Sequence, residues 1–366
     1  MAPEGLVVLA AGGTGGHLFP AEALARELIL RGRRVALVTD KRAQKFPVEG
    51  VPSYRVPAGR FGSGIFGKFG GLIETGRGTL CARGLLKRLG PSAVVGFGGY
   101  PSVPTMLAAS WLKLPSMIHE QNAVLGRANR MLAGRVRRVA TGFETVQGLA
   151  GDDRGKIVPT GNPVRPAILA LRGLGYDPPV PDGPIRLLVI GGSQGARILS
   201  RVVPEALKVL PRVLQQRLLV WQQVREEDTE TCRAAYVGST IAVQMKRFFD
   251  DIPERLGAAH LLIGRAGGST VAELTTAGRP SILVPFAAAI ADEQTANARV
   301  LVERGAAWLL PEAEFTPAIL SGQLERILCH PAALARAAAA AHRLGQPDAA
   351  QRLADLVETI EWEARR

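Results

Sequence analysis

At 366 residues the chain exceeds what one hydrophobic core ordinarily serves, so two domains are expected. Hydrophobic residues make up 47% and charged residues 21%, which excludes disorder, and three scattered cysteines (Cys81, Cys232, Cys329) with no CxxC pair exclude a disulfide framework or a cysteine zinc site. The net charge of +13 sits wholly in the first half: residues 1–165 hold 23 Lys+Arg against 10 Asp+Glu, while residues 166–366 hold 22 of each. The first half is therefore expected to meet an anionic surface or substrate. No apolar run reaches the roughly 18–20 residues that cross a bilayer, since the longest, 281–291, is broken by Pro285. The start lacks the basic n-region of a signal peptide, so a cytosolic protein that can lie against a membrane is expected.

In chain order, an apolar strand at 6–11 runs into Gly12-Gly13-Thr14-Gly15-Gly16-His17, and a helix follows from about Phe19 to Arg31. Further strands are expected at 34–39, 93–97, 116–119 and 136–141. Between Tyr54 and Pro91 lie seven basic residues, Arg55, Arg60, Lys68, Arg77, Arg83, Lys87 and Arg88, against the single acid Glu74. Phe61, Ile65, Phe66, Phe69, Leu72 and Ile73 are interleaved with them. Cations mixed with large apolar groups suit a peripheral membrane surface, and the competing reading is a helix with its apolar side in the core.

Gly161-Asn162-Pro163-Val164-Arg165 marks the domain boundary, and the four prolines of 173–184 mark an exposed connector. A second strand, 185–190, then runs into Gly191-Gly192-Ser193-Gln194-Gly195-Ala196 and another helix. The strand, glycine turn and helix unit thus occurs twice, about 180 residues apart. Strands at 217–221, 240–244, 260–263 and 281–285 alternate with helical stretches. This alternation predicts an α/β chain with two Rossmann-like parallel sheets.

A glycine turn between strand and helix aims backbone N–H groups at an anion. Neither turn is a dinucleotide fingerprint, because Leu18 stands where the third glycine belongs, and neither is followed by the Gly-Lys-Ser/Thr of a P-loop. A nicotinamide reading keeps only Asp40 as a ribose-binding acid. In the second half, Gly264 to Glu273 follows a strand and opens a helix, with Glu273 placed for ribose hydroxyls or for a capping box. Asp292 to Asn297 forms a polar cluster after the strand at 281–285. Asp152-Asp153 and Asp250-Asp251 lack the further ligands of a metal site, and no RRM, KH or helix-turn-helix signature points to nucleic acid.

Six stretches, in order, carry a resemblance: Gly12–His17, Gly96-Phe97-Gly98-Gly99-Tyr100-Pro101-Ser102, His119-Glu120-Gln121-Asn122, 161–165, 191–196 and 264–273. Together they cover nearly the whole chain and resemble the MurG family of peptidoglycan N-acetylglucosaminyltransferases. The resemblance implies a GT-B fold, two Rossmann-like domains facing across a cleft. The expected division is 1–163 for the acceptor and membrane, 164–347 for UDP-GlcNAc, and a last helix at about 348–366 crossing back. It implies inverting transfer of GlcNAc to the C4 hydroxyl of the muramyl sugar on undecaprenyl pyrophosphate. The alternative is a related enzyme with another acceptor, such as a diacylglycerol glycosyltransferase.

By the same resemblance, the donor is held by Thr14, Gly15, Gly16, Asn122, Arg165, Ser193, Phe249, Gly268, Ser269, Thr270, Val271, Ala272, Glu273 and Gln294. Glu273 takes the ribose, Ser193 the diphosphate, the backbone near Phe249 the uracil, and Gln294 a GlcNAc hydroxyl. Gly98, Gly99, Tyr100 and Ser102 are expected at the acceptor. His17 is the first candidate for general base and Glu120 the second. No metal or other cofactor is implied. The expected partners are UDP-GlcNAc, the lipid-linked muramyl-pentapeptide (lipid I), the anionic cytoplasmic face of the cell membrane, and other cell-wall synthesis or division proteins. The apolar 287–291 loop and Glu293 depart from the family pattern.

Overall fold

The two apolar runs that precede the glycine turns, Leu6–Ala10 (β1) and Ile185–Ile190 (β8), are interior strands of two separate parallel sheets. The computed structural model describes residues 5–366 apart from 13–14, 41–45, 60–64 and 193–194, with the backbone alone at 65–69 and 290. It holds two units, one of residues 1–165 with 346–366 and the other of 166–345. The chain leaves the first unit after Arg165, two residues beyond the expected boundary, because Thr160 to Val164 are buried within it.

The first sheet has the order β3-β2-β1-β4-β5-β6-β7. Its strands after β1 are β2 (Arg34–Thr39), β3 (Ser53–Arg55), β4 (Ala93–Gly96), β5 (Ser116–Glu120), β6 (Arg138–Thr141) and β7 (Ile157–Pro159). The side-chain alternation of β1 divides its residues between two cores, as a sheet covered on both faces requires. Val7 and Leu9 pack with Leu24 and Leu28 of helix Gly15–Leu30 and with Leu353, Val357 and Ile360 of the last helix, Ala349–Arg365. Val8 and Ala10 pack with Ala82, Leu85 and Leu86 of helix Ile65–Leu89 and Met106 of helix Val103–Trp111. The last helix is also tied down by charge: Arg31 meets Asp355, Arg138 meets Glu363, and the buried Arg33 meets the buried Glu361.

The second sheet runs β10-β9-β8-β11-β12-β13. Its strands after β8 are β9 (Leu218–Gln223), β10 (Ala242–Lys246), β11 (Leu261–Gly264), β12 (Ser281–Leu283) and β13 (Ala307–Leu309). Leu187 and Val189 pack there against Leu199 and Val203 of helix Arg197–Lys208 and Leu320 and Leu324 of helix Pro317–Leu328.

Candidate functional site

In the first unit the carboxyl ends of β1, β4 and β5 are neighbours, and the strand order reverses between β1 and β4, where open parallel sheets take their ligands. After β1, Gly15, Gly16 and His17 form the first turn of helix Gly15–Leu30. The helix thus starts four residues earlier than Phe19. Pro20 suggests a first turn but lies inside, where it forfeits one helical hydrogen bond. First-turn N–H groups face away from the helix body, as an anion site requires. Thr14 lies outside the described residues.

After β4, Gly98 and Gly99 take φ of 81° and 73° and lead into the turn Tyr100–Ser102. A Cβ on Gly99 would lie 3.2 Å from His17 Nε2, so glycine serves here both the backbone angle and the room beside the imidazole. Ser102, expected at the acceptor, is fully buried, and its hydroxyl donates to the Gly99 carbonyl at 2.9 Å and braces this turn.

At the end of β5, three side chains and one backbone carbonyl form a chain of contacts. His17 Nδ1 lies 3.2 Å from Gln121 Oε1. Gln121 Nε2 lies 3.0 Å from both His119 Nδ1 and the His119 carbonyl, and His119 Nε2 lies 2.9 Å from the Gly161 carbonyl. Burial pushes the His119 pKa down to about 4, so the ring is neutral near neutral pH.

Glu120, the second candidate base, lies at the end of β5. Its carboxylate is 2% exposed and accepts from Asn122 N and Nδ2, Gly126 N and Asn129 Nδ2 at 2.8–3.0 Å. These four donors tie the 121–129 loop to the end of β5. Asn122 is held from β5 by that carboxylate. The Arg165 guanidinium stacks 4.3 Å over the Phe19 ring, which itself packs against Gly15, and this brings a cation beside the glycine turn.

In the second unit the order reverses between β8 and β11. Gln223, at the end of β9, accepts from Gly191 N at 2.9 Å and donates to the Gly192 carbonyl at 3.0 Å, bracing the glycine turn. Ser193 in that turn lies outside the described residues. After β11, Gly267 caps helix Gly268–Ala277, which opens with Gly268, Ser269, Thr270, Val271 and Ala272. Asn297 Nδ2 holds the loop before it through the Ala266 carbonyl, at 2.9 Å. Because the cap is Gly267, the capping-box position falls on Thr270, and Glu273 lies beyond it on the helix; the capping-box role for Glu273 is thereby excluded.

Arg265 reaches the Val284 and Pro285 carbonyls and Glu312, whose carboxylate accepts from Ala287 N. Gln294 Oε1 accepts from Phe286 N at 3.1 Å, which leaves its amide NH₂ as the end that can meet a hydroxyl. Phe249 is buried under Arg255, 4.3 Å away. Gln121 falls within the 119–122 stretch and Asn297 within the 292–297 polar cluster, but neither they nor Gln223 receive an individual role from the sequence, because a single buried amide leaves no periodic or spacing signal. Among the described residues no group of three or more His, Cys, Asp or Glu could hold a metal ion.

The comparisons agree with this architecture. The family model of the glycosyltransferase family 28 N-terminal domain matches residues 7–141, and that of the C-terminal domain matches 186–353. A Rhodospirillum centenum protein is 55% identical over 98% of this chain and 94% of its own length. One from Paramagnetospirillum magneticum is 52% identical over 96% of each. Both are named UDP-N-acetylglucosamine--N-acetylmuramyl-(pentapeptide) pyrophosphoryl-undecaprenol N-acetylglucosamine transferase. The crystal structure of Acinetobacter baumannii MurG superposes with a TM-score of 0.77 at 31% identity, covering 97% of this chain and 99% of that one. Two Rossmann-like units of GT-B type, the family 28 models and these relatives place the chain in the MurG family of glycosyltransferases.

Proposed function

We propose that the chain transfers N-acetylglucosamine from UDP-N-acetylglucosamine to the C4 hydroxyl of N-acetylmuramyl-(pentapeptide) pyrophosphoryl-undecaprenol, with inversion at the anomeric carbon. The observation that carries this reading is the full-length kinship with enzymes named for that transfer, 55% identical in the first case. In the step itself, His17 Nε2 takes the proton of the acceptor hydroxyl. The oxygen's electron pair forms the new bond to the anomeric carbon, and the bond to the diphosphate breaks to release UDP. The N-terminus of helix Gly268–Ala277 and its first-turn N–H groups receive the charge that grows on the leaving diphosphate. The remaining donor contacts follow the family assignments, with Glu273 on the ribose, Gln294 on a sugar hydroxyl and Arg165 and Asn122 near sugar and phosphate. The test is UDP release from UDP-GlcNAc with and without a lipid-linked muramyl-peptide analogue. Release that ignores the analogue, or that answers instead to diacylglycerol, sinks the reading.

Glu273→Ala is expected to remove charge-assisted hydrogen bonds to the ribose, which are worth roughly 1.5–3 kcal/mol. Steady-state kinetics should show a higher KM for UDP-GlcNAc with kcat little changed. An unaltered KM in the folded variant retires the ribose assignment.

No helix among the described residues is long and apolar enough to cross a membrane. The reading of the first unit as a peripheral binder of the anionic cytoplasmic face is supported by helix Ile65–Leu89. While Ala82, Leu85 and Leu86 enter the core, Leu72, Ile73 and Leu80 stay 61%, 52% and 59% exposed, beside the exposed Arg77, Lys87 and Arg88. Trp111, also exposed, carries Arg83 4.8 Å over its ring. One side of the helix thus enters the core, and the other is the side that the membrane reading uses. The side chains of Ile65, Phe66, Lys68 and Phe69, and all of Arg60 and Phe61, lie outside the described residues. Changing Leu72, Ile73 and Leu80 to Ser and Lys87 and Arg88 to Glu should abolish salt-sensitive sedimentation with anionic vesicles. Turnover of a short-chain soluble acceptor should persist. Undiminished vesicle binding by the variant refutes the assignment.

A further inference from the structure

The chain of contacts from His17 to Gly161 has only one consistent arrangement of hydrogens, and two backbone carbonyls decide it. The Gly161 oxygen can only accept, so His119 Nε2, 2.9 Å away, carries a hydrogen. A neutral ring has one N–H, which leaves His119 Nδ1 a bare acceptor. The His119 carbonyl, 3.0 Å from the Gln121 amide, can also only accept, so the atom facing it is the amide nitrogen. Turning the amide over would set two oxygens against each other there and leave His119 Nδ1 without a donor. The orientation of Gln121 is therefore fixed, and its oxygen faces His17 Nδ1.

We propose that Gln121 and His119 act as positioning residues that hold neutral His17 in its Nδ1–H form, so that Nε2 is the bare nitrogen beside Gly99. An amide oxygen accepts and cannot donate, so the His17 nitrogen that meets it must carry the hydrogen. A free imidazole in water favours the opposite form. The two buried side chains, 3% and 0% exposed, thus do for His17 what a carboxylate does for the histidine of a Ser-His-Asp triad, without adding a charge. Nε2 has room because residue 99 has no side chain, and no described residue donates to or accepts from it. The catalytic consequence rests on the reading of His17 as base; the tautomer does not.

The test is long-range ¹H–¹⁵N correlation NMR of the full chain with ¹⁵N-labelled histidine, on the alkaline side of the imidazole titration. The His17 signals are assigned by their loss in His17→Ala. The expected spectrum shows a protonated Nδ1 and a bare Nε2 for His17. In Gln121→Leu the ring should revert to Nε2–H and kcat should fall about 10–100-fold, the range seen when the hydrogen-bond partner that orients a metal-ligating histidine is lost. KM for UDP-GlcNAc should stay unchanged. The wild-type spectrum reads the tautomer without any change at Gln121, which holds the test open if the leucine variant does not fold. Wild-type His17 protonated on Nε2 overturns the proposal, and so does a leucine variant with switched tautomer and undiminished kcat. An Nδ1–H spectrum combined with full turnover by His17→Ala leaves the tautomer assignment standing and refutes the base.

Discussion

His17→Ala is expected to lower kcat by about 10²–10⁴, the range lost with a general base, while KM for UDP-GlcNAc stays nearly unchanged. The split follows from placement, since His17 stands on the first glycine turn and the donor assignments lie mostly in the other unit. The kcat/KM profile adds a second reading, because its acid limb reports the base of the free enzyme and should vanish in the variant. If turnover persists at saturating acceptor, His17 becomes a binding residue and the base role passes to Glu120, whose carboxylate carries four donors, or to water.

Glu361→Ala should be the most destabilising of the charge removals on the last helix. Glu361 and Arg33 side chains are 5% and 6% exposed, and Ser92 Oγ also donates to the carboxylate at 2.6 Å. Deleting the acid strands a buried guanidinium, which typically costs about 3–5 kcal/mol. For a unit of this size that lowers Tm by roughly 10 °C. Glu363→Ala is the control. Its partner Arg138 is a third exposed, so the loss should stay below about 1 kcal/mol. Equal shifts for the two variants in thermal unfolding would show that burial does not set the difference.

The interior of both sheets is legible in the sequence because a strand covered on both faces must be apolar throughout. The runs at 6–10, 34–39 and 185–190 satisfy that nearly residue for residue. The strands that escape notice, β3, β7 and β13, have three residues each and sit at sheet edges, where one neighbour suffices and no long apolar run is needed. In the candidate site, glycine turns announce themselves because they need special backbone angles. Glu120 and Ser102 are ambiguous in the sequence for a related reason. A polar residue in a glycine-rich motif can face the ligand or hold the loop that does, and only burial and partners separate the two. Gln121, buried between two histidines, belongs to the second kind and would pass unnoticed without its distances.

The second unit, 166–345, is an insertion within the first, whose core is completed by Leu353, Val357 and Ile360. Synthesis proceeds from the amino end at about 5–20 residues per second, and domains generally fold as units. The second unit is therefore whole while the first still lacks the helix that covers Val7, Leu9, Leu24 and Leu28. The part begun first is finished last, and for about the time needed to make 180 residues it carries an open apolar face. A premature stop in the final twenty codons would make that exposure permanent, turning a short truncation into a substrate for aggregation and proteolysis.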